Sequence, residues 1–416
     1  DRLRSRGLGD VYKRQEEYDK KFKAWDMSYL PMVPKKWELV VIKQTSKQYH
    51  NVKTQLFRKD VSEIIIATDA GREGELVARW ILDKSGCHKP IRRLWISSVT
   101  DKAIKEGFAH LKDGRAYNDL YHAARSRAEA DWLVGINATR ALTCKYNAQL
   151  SCGRVQTPTL AMIAHREQQI RSFKPEDYYG LRCTTSVTGG SVGTMASIVT
   201  WTWQQKKSGS LRSFNKELIT GLDKKLKNQT LTVTDVHTSS KRTPSPGLYD
   251  LTELQRDANK RFGFSAKETL NIMQSLYEHH KVLTYPRTDS RYIGTDIVPT
   301  IKERLKACNI GPYKKYIPEL LKKPLRTSKA FVDDKKVSDH HAIIPTEEYV
   351  QMEHMSNNER KIYDLVVRRF ISVLYPAFEY EQTTLKAEAA GETFTAKGKV
   401  IKAAGWKAVY LSLIHI

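Results

Sequence analysis

The chain carries the sequence EIIIATDAGREGE at residues 63–75. Its first half, Glu63–Ala67, is a short apolar run typical of a buried parallel strand. Its second half, Asp69–Glu75, leads into a helix predicted over 75–84, whose apolar residues fall on one face. The carboxyl ends of parallel strands are where α/β sheets place their sites. The stretch therefore predicts a strand–loop–helix unit of an α/β domain, with acidic side chains at its functional edge.

Two interpretations of the acidic loop are open. Asp69 and Glu73 can hold Mg²⁺ through carboxylate oxygens while the ion keeps several of its waters. Alternatively, Asp69 caps the helix, and Glu73 and Glu75 favour the positive end of the helix dipole. These residues alone favour neither interpretation.

The composition is strongly basic. The 416 residues include 70 Lys+Arg against 46 Asp+Glu, which gives a net charge of +24. Such an excess attracts a polyanion such as a nucleic acid, although a merely basic surface gives the same count. No apolar run approaches the roughly 18 residues that a membrane span requires. The five cysteines form no Cys-x-x-Cys pair, which argues against zinc ribbons and a disulfide framework and favours a reducing compartment.

Composition changes along the chain indicate several domains. Residues 16–116 alternate between strand and helix, with a second strand at 93–96, as in a doubly wound sheet. One long amphipathic helix, or two, is predicted over 117–146, and another helix over 156–170. Residues 177–236 are β-rich, and the run Lys224–Lys227 is interpreted as a solvated strand edge.

The second half of the chain is predicted to be helical and then β-rich again. Thr243–Gly247 is a hinge or linker candidate. Helices are predicted at 251–262, 265–280, 298–307 and 357–374, and alternating strands at 380–410. The β-rich pieces before Thr243 and after Ala377 are expected to form one discontinuous domain around the inserted helices.

The segment YPRTDS at residues 285–290 follows the predicted end of a helix. A tyrosine oxygen such as that of Tyr285 can attack a phosphodiester, and Arg287 can neutralise the charge that grows on the phosphate oxygens. Tyrosine beside proline is also an ordinary turn, so the hexamer alone decides nothing.

Three further patterns carry polar side chains. Arg127 and Asp131 lie one helical turn apart, where an ordinary surface ion pair is the favoured interpretation. The segment SCGRVQTP at 151–158 can present Arg154, Gln156 and backbone N–H groups to a phosphate, or simply cap a helix.

The third pattern is SDHHAIIPT at 338–346. His340 can donate a hydrogen bond to a phosphate or move a proton, or it is a structural histidine beside Asp339. The sequence contains no P-loop, so no ATP site is predicted.

Taken together, the order and spacing of these motifs resemble those of the bacterial type IA DNA topoisomerases, in particular the topoisomerase III group. The resemblance runs from about Glu16 to Tyr410. It rests on the Toprim signature at 67–75, on Arg127 with Asp131, on residues 153–158, on the Tyr285 hexamer and on residues 340–346.

The resemblance implies an ATP-independent isomerase that cleaves one DNA strand through a 5′-phosphotyrosyl link, passes another strand and reseals the break. Such an enzyme relaxes negative supercoils and decatenates DNA. The implied roles are Tyr285 as nucleophile, Arg287 and His340 at the phosphate, Asp69 and Glu73 as Mg²⁺ ligands, and Arg127, Asp131, Arg154 and Gln156 in the groove for single-stranded DNA. The implied partners are single-stranded and negatively supercoiled DNA, with no membrane and no ATP. A monomer in the bacterial cytoplasm, associated with the nucleoid or a plasmid, is expected.

The fold implied by the resemblance is multidomain, α/β plus α plus β, in an incomplete toroid. Its parts are a partial Toprim domain at 16–116, the first part of a helical single-strand-binding domain at 117–176, a β-rich arch at 177–242 and 378–410, and a helical gate domain at 243–377.

Two departures from the family pattern shape further expectations. Gly71 stands where the usual Asp-x-Asp pair has its second carboxylate, which leaves open whether one metal or two binds. Nothing before Trp37 resembles the family's first strand, which carries a catalytic glutamate and a lysine. We therefore expect residues 1–15 and 411–416 to be non-native tails, the chain to be truncated at both ends, and the 416-residue chain alone not to relax DNA.

Two other classes of protein compete with this assignment. Another Toprim enzyme, such as a primase or nuclease, would share the acidic loop but lack the gate tyrosine. A non-catalytic basic protein that binds single-stranded DNA would show steep salt dependence but form no covalent adduct.

Overall fold

The computed structural model describes residues 12, 15–96, 101–187, 197–338 and 340–410, with the backbone alone at 101–103, 187 and 197. Asp339 and most of the two expected tails lie outside these residues. The chain divides into two compact units. The first unit is drawn from Asp1–Ser172, Arg287–Pro299 and Val332–Ala342, and the second from Phe173–Pro286, Thr300–Phe331 and Ile343–Ile416.

The first unit contains a small mixed sheet with helices packed against it. Its strands are β1 (Ile64–Ile66), β2 (Ile91–Arg93) and β3 (Lys112–Asp113), and β2 pairs parallel with β1 and antiparallel with β3. Its helices are α1 (Gln15–Tyr18), α2 (Ser46–Leu56), α3 (Arg72–Ser85), α4 (Asp101–Ala109), α5 (Asn118–Tyr146) and α6 (Gln156–Arg171). The predicted strand at 63–67 and the helix after it are therefore confirmed. Helix α3 ends where Gly86 takes a left-handed conformation (φ 76°), as glycine does at helix ends.

The prediction of the second strand was displaced by a few residues. It was expected at 93–96 and is found at Ile91–Arg93. Pairing begins directly after Pro90, whose carbonyl accepts a hydrogen bond from Ile64 N at 2.8 Å. Beyond β2, Leu94 N still donates to the Ile66 carbonyl at 3.0 Å, but the carbonyl of Leu94 accepts from the Arg93 guanidinium, so the ladder ends at this residue.

Helix α5 is one continuous helix of 29 residues. Leu76 and Trp80 of α3 pack against Tyr121 and Ala124 of α5 in a buried cluster. The other face of α3 packs on the sheet through Ala78 and Leu82, which cluster with Ile66 of β1, Leu56 and Cys87. Within the described parts of the chain, no helix is both long enough and apolar enough to span a bilayer.

Tyr12 corrects the expectation for the first fifteen residues. Its ring lies 4.5 Å from that of Trp37 and 5.5 Å from that of Trp80, and its backbone pairs with Leu39. Burial raises the pKa of its hydroxyl above the usual range. This residue of the expected tail is therefore part of the core beside α3 and α5.

The second unit contains an antiparallel sheet built from two distant parts of the sequence. In the described residues its five strands are β4 (Arg182–Val187), β5 (Ser197–Gln204), β6 (Thr232–Thr243), β7 (Phe378–Ala389) and β8 (Glu392–Ala403), in the order β4-β5-β8-β7-β6. Strand β8 joins β5 on one side to β7 on the other, so segments nearly 200 residues apart share one sheet. The expectation that the two β-rich pieces come together is confirmed.

One helix in this region was missed. The run Lys224–Lys227 was interpreted as a strand edge, but Lys224 and Lys225 lie in the last turn of α7 (Lys216–Leu226). Asn215 caps the helix by accepting from Leu218 N, and Ile219 and Leu222 are buried against the sheet. The interpretation was wrong because the glycines and β-branched residues on either side outweighed an apolar pair with helical spacing.

The remaining helices of the second unit lie between β6 and β7 in sequence. They are α8 (Leu251–Phe262), α9 (Ala266–Glu278), α10 (Ile301–Ala307), α11 (Ile317–Leu321) and α12 (Asn357–Leu374). All but α11 were predicted to within a few residues. Helix α12 is the buried centre of this group, and it begins with a capping box in which Ser356 and Glu359 satisfy each other's backbone N–H groups. Arg369 of α12 donates to the carbonyl of Gly247 at 3.0 Å, which ties the predicted linker to the helices.

We predict that Leu222→Ala destabilises the second unit by about 2–5 kcal/mol, because it leaves a cavity against the sheet. Urea unfolding followed by tryptophan fluorescence measures the loss, since Trp201 and Trp203 lie in the same cluster. Leu218→Ala is the control on the same helix, because Leu218 is 44% exposed and its truncation should cost under about 1 kcal/mol. Equal losses for the two variants would contradict the burial of this face.

Candidate active site

The acidic loop lies between β1 and α3. The residue that caps α3 is Gly71, in extended backbone conformation and with no side-chain cap bond. The interpretation of Asp69 as the helix cap was therefore wrong. The side chains of Asp69 and Glu73 are exposed, so both carboxylates are accessible at the edge of the sheet where the sequence placed a site.

Glu75 differs from the other two acids. It is fully buried, and its carboxylate accepts from Arg93 Nε and from Arg79 Nε, both at 2.9 Å. Burial lowers the pKa of the Arg93 guanidinium, and the Glu75 carboxylate opposes that shift. The expectation that Glu75 acts on the helix dipole is replaced by a buried ion pair. The only signal in the sequence is an arginine inside an apolar strand.

Helix α5 brings basic residues to the acidic loop. Arg127 Nη1 lies 3.1 Å from a carboxylate oxygen of Glu73, and Arg154 Nε lies 2.5 Å from one of Asp131. The expected pairing of Arg127 with Asp131 within the helix is thus replaced by pairs that join separate elements. The hydrogen bond that Arg154 donates to Asp131 is the main cause that raises the pKa of Arg154, and the charges of Asp131 and Glu73 add to it. Four residues singled out in the sequence therefore stand together.

Gln156 begins α6, next to this group. Its side-chain amide donates to Ser151 Oγ at 3.0 Å, and Gly153 N donates to Thr157 Oγ1 at 3.0 Å. The 151–158 segment is thus a closed turn that leads into a helix. Arg154 extends from that turn to Asp131 with about half of its side chain exposed.

Tyr285 lies in the second unit, shortly after α9, as predicted. The residues before it pair with the segment after His340: Thr284 N donates to the Ile344 carbonyl at 3.0 Å, and Ile344 N donates to Thr284 Oγ1 at 3.0 Å. The Tyr285 ring is half-buried and meets the Tyr277 ring edge-on, with centroids 5.5 Å apart. Backbone pairing and ring packing therefore hold the tyrosine at a defined position.

Arg287 and His340 belong to the first unit, because the boundary between the units falls between Pro286 and Arg287. Thr288 is buried, and its hydroxyl donates to the carbonyl of His340 at 2.7 Å. Ala342 N donates to the carbonyl of Tyr292 at 2.8 Å, which continues the same pairing. The segments that carry Arg287 and His340 are thus joined by hydrogen bonds, one of them from Thr288, a residue that the sequence patterns did not single out.

The acidic loop has the donor chemistry for a hard cation. Two exposed carboxylates, those of Asp69 and Glu73, suit Mg²⁺, which keeps several waters and needs few protein oxygens. No group of three or more His, Cys, Asp or Glu is arranged for a metal in the described part of the chain. A bound ion would share Glu73 with Arg127.

Two protein-family models match this chain. A family model described as DNA topoisomerase matches residues 115–415, and a Toprim domain model matches residues 11–99. The first match covers Tyr285, Arg287 and His340, and the second covers the acidic loop.

Individual relatives of this chain are also DNA topoisomerases. The chain is 62% identical over 395 residues to DNA topoisomerase 3 of Bacillus cereus (strain ATCC 14579), a match that covers 95% of this chain and 53% of the relative. It is 58% identical to DNA topoisomerase 3 of Bacillus subtilis (strain 168), with the same coverage. The chain thus spans about half the length of the curated relatives it matches.

A solved structure has a similar fold. It is the full-length topoisomerase I from Thermotoga maritima, with a TM-score of 0.65 and 23% sequence identity. The match covers 97% of this chain and 63% of that one.

We predict opposite roles for two acids that lie two residues apart. Glu75→Ala should cost about 3–5 kcal/mol of unfolding free energy, because it leaves the buried Arg93 charge without its carboxylate. Glu73→Ala should cost under about 1 kcal/mol, because the Glu73 side chain is 69% exposed and its ion pair is solvated. Urea unfolding of the two variants measures the difference, and a cost for Glu73→Ala as large as for Glu75→Ala would refute it.

Proposed function

This chain belongs to the type IA DNA topoisomerase family, and we propose that the protein cleaves and reseals one DNA strand through Tyr285. The Tyr285 oxygen forms a bond to phosphorus as the bond from phosphorus to the 3′ oxygen breaks. The phenol proton leaves, and the released 3′ oxygen takes up a proton to become a hydroxyl. Resealing is the reverse step. It needs no ATP because the covalent ester conserves the energy of the bond.

One observation carries this proposal. Tyr285 is fixed by backbone pairing and ring packing, in a chain that also carries the exposed acidic loop and the basic residues around it. A primase or nuclease with a Toprim domain has no use for such a tyrosine. A binding protein without catalysis needs neither the tyrosine nor the acids. The family match over residues 115–415 favours neither alternative.

Charge stabilisation at the phosphate is assigned to Arg287 and His340. A guanidinium two residues from the nucleophile can bind the phosphate oxygens on which charge grows in the transition state. His340 can donate a hydrogen bond to the phosphate or pass a proton to the leaving oxygen. The hydrogen bond from Thr288 to the His340 carbonyl supports this role, because it ties the two residues' segments together.

Asp69 and Glu73 are the proposed Mg²⁺ ligands. When bound, the ion would supply positive charge to DNA phosphates near the break. Because Arg127 already pairs with Glu73, the arginine can orient that carboxylate and turn to the DNA backbone when DNA arrives.

The proposed groove for single-stranded DNA is formed by Arg127, Asp131, Arg154 and Gln156. The side chains of Arg127 and Arg154 are a third to a half exposed, and their partners are carboxylates that DNA phosphates can replace. The net charge of +24 adds long-range attraction.

We further propose single-stranded and negatively supercoiled DNA as substrates, relaxation and decatenation as outcomes, and a monomer in the bacterial cytoplasm.

We expect a covalent adduct that depends on Tyr285. The chain is extended to the length of its relatives with the flanking segments of the Bacillus cereus enzyme, incubated with 3′-end-labelled single-stranded DNA and Mg²⁺, and stopped with denaturant. A labelled protein band should form and should disappear in Tyr285→Phe, because the phenyl ring has no nucleophilic oxygen.

Tyr277→Phe is the matched control for the adduct. Its ring contacts that of Tyr285, so it tests for damage to the surroundings, and it should keep the adduct. An adduct that survives Tyr285→Phe would move the nucleophile to another residue.

We also expect Arg154→Ala to weaken binding of single-stranded oligonucleotides to this chain, alike for all sequences, and to reduce the salt dependence of log affinity by about 1. Fluorescence anisotropy at several salt concentrations measures both effects. Arg115→Ala removes another arginine that is paired with an aspartate, at a site that is 86% exposed, and should leave the slope unchanged. Equal slopes for wild type and Arg154→Ala would remove Arg154 from the groove.

A further inference from the structure

We propose that Arg93 is a positioning residue for the metal-binding loop, and that it sets the direction of the Asp69 carboxylate through the Asp69 backbone. The inference rests on the proposed function, which takes Asp69 as a ligand of Mg²⁺. Arg93 itself is fully buried.

The Arg93 guanidinium binds the end of β1 and the loop that follows. Its Nη2 donates to the Asp69 carbonyl at 2.6 Å, and its Nε donates to Glu75 at 2.9 Å. Its Nη1 donates to three further carbonyls, those of Ile66 at 3.1 Å, Thr68 at 2.9 Å and Leu94 at 2.7 Å. One side chain therefore fixes the backbone from the last residue of β1 to Asp69.

The Asp69 carbonyl is also confined from the opposite side. A Cβ added at Gly74 would lie 2.2 Å from that oxygen, so the first turn of α3 packs directly against it. Thr68 Oγ1 donates to the Gly74 carbonyl at 2.8 Å, which closes the loop on the helix. The hydrogen bond from Arg93 and the close approach of the Gly74 backbone together restrict rotation of the Asp69 backbone.

Lysine cannot reproduce this arrangement. Five fixed N–H donors in one plane match a carboxylate and several carbonyls at once, whereas an ammonium group offers three donors at a single point. The plane is held in place by Trp95, whose ring centre lies 5.0 Å from the guanidinium carbon and which stacks on Tyr117.

A purely stabilising role and a positioning role make different predictions. If the buried pair only stabilises the unit, its weakening lowers the melting temperature and leaves metal affinity unchanged in the folded protein. If Arg93 positions Asp69, metal affinity falls while the protein is still folded, as occurs when groups that orient metal ligands are replaced.

The test is a Mn²⁺ titration of this 416-residue chain, followed by electron paramagnetic resonance of the free ion, with folding checked by circular dichroism. Arg93→Lys should weaken Mn²⁺ binding about 10-fold or more, whereas Arg92→Lys should stay within about 2-fold of wild type. Arg92 is the matched control because it is the neighbouring exposed arginine of β2, with a bond to the Leu111 carbonyl.

Wild-type affinity in folded Arg93→Lys would overturn the inference. If Arg93→Lys does not fold, Gly74→Ala decides, because it displaces the Asp69 carbonyl and leaves the Arg93–Glu75 pair intact. Loss of affinity there supports the inference, and unchanged affinity overturns it.

Asp69→Asn separates this inference from the proposed function. If Asp69→Asn weakens binding and Arg93→Lys does not, only the role of Arg93 fails. If Asp69→Asn has no effect, the proposed metal site fails, and the inference fails with it.

Discussion

The first unit depends on a charge that has been taken out of water. A buried guanidinium is tolerated only when its donors are satisfied, because desolvation costs several kcal/mol for each ion. Arg93 meets this condition with one carboxylate and four carbonyls, and these acceptors belong to β1, the loop that follows it, α3 and the residue directly after β2. Strand, loop and helix are thus required to meet at one point. The exposed acids extend from a loop whose backbone has almost no alternative conformation.

A second constraint is the distribution of reactive groups over two compact units. Tyr285 falls in one unit, and the acidic loop, Arg287 and His340 fall in the other. The boundary between the two units falls at the peptide bond between Pro286 and Arg287. Both units are also discontinuous in sequence. Residues 287–299 and 332–342 belong to the first unit although the segments around them belong to the second. Within the second unit, β8 pairs with β5 from a distant segment of the chain.

Local patterns predicted most of the regular structure. Helices α5, α8 and α12 were found from apolar spacing, and β1 from its apolar run, because these signals lie within a few turns or residues. The errors have a different origin. Helix α7 was missed because part of the surface that buries its apolar face comes from β7 and β8, which lie more than 150 residues away. Strand β2 ends earlier than predicted because the Leu94 carbonyl accepts from the Arg93 side chain, so the ladder stops at the Leu94 N–H.

The sequence by itself predicted which residues carry chemistry: the acidic loop after a strand, the tyrosine past a helix, and arginines at helical spacing. Only the tertiary structure decided which of these side chains are exposed, which are buried, and which partners they pair with. Glu73 and Glu75 have the same side chain two positions apart, yet one is exposed beside Arg127 and the other is buried on Arg93. Arg127 pairs with Glu73 of α3 and not with Asp131 of its own helix. The reason is that helical and strand periodicity are local properties, whereas the partner and solvation of a charge depend on elements brought together from elsewhere in the chain.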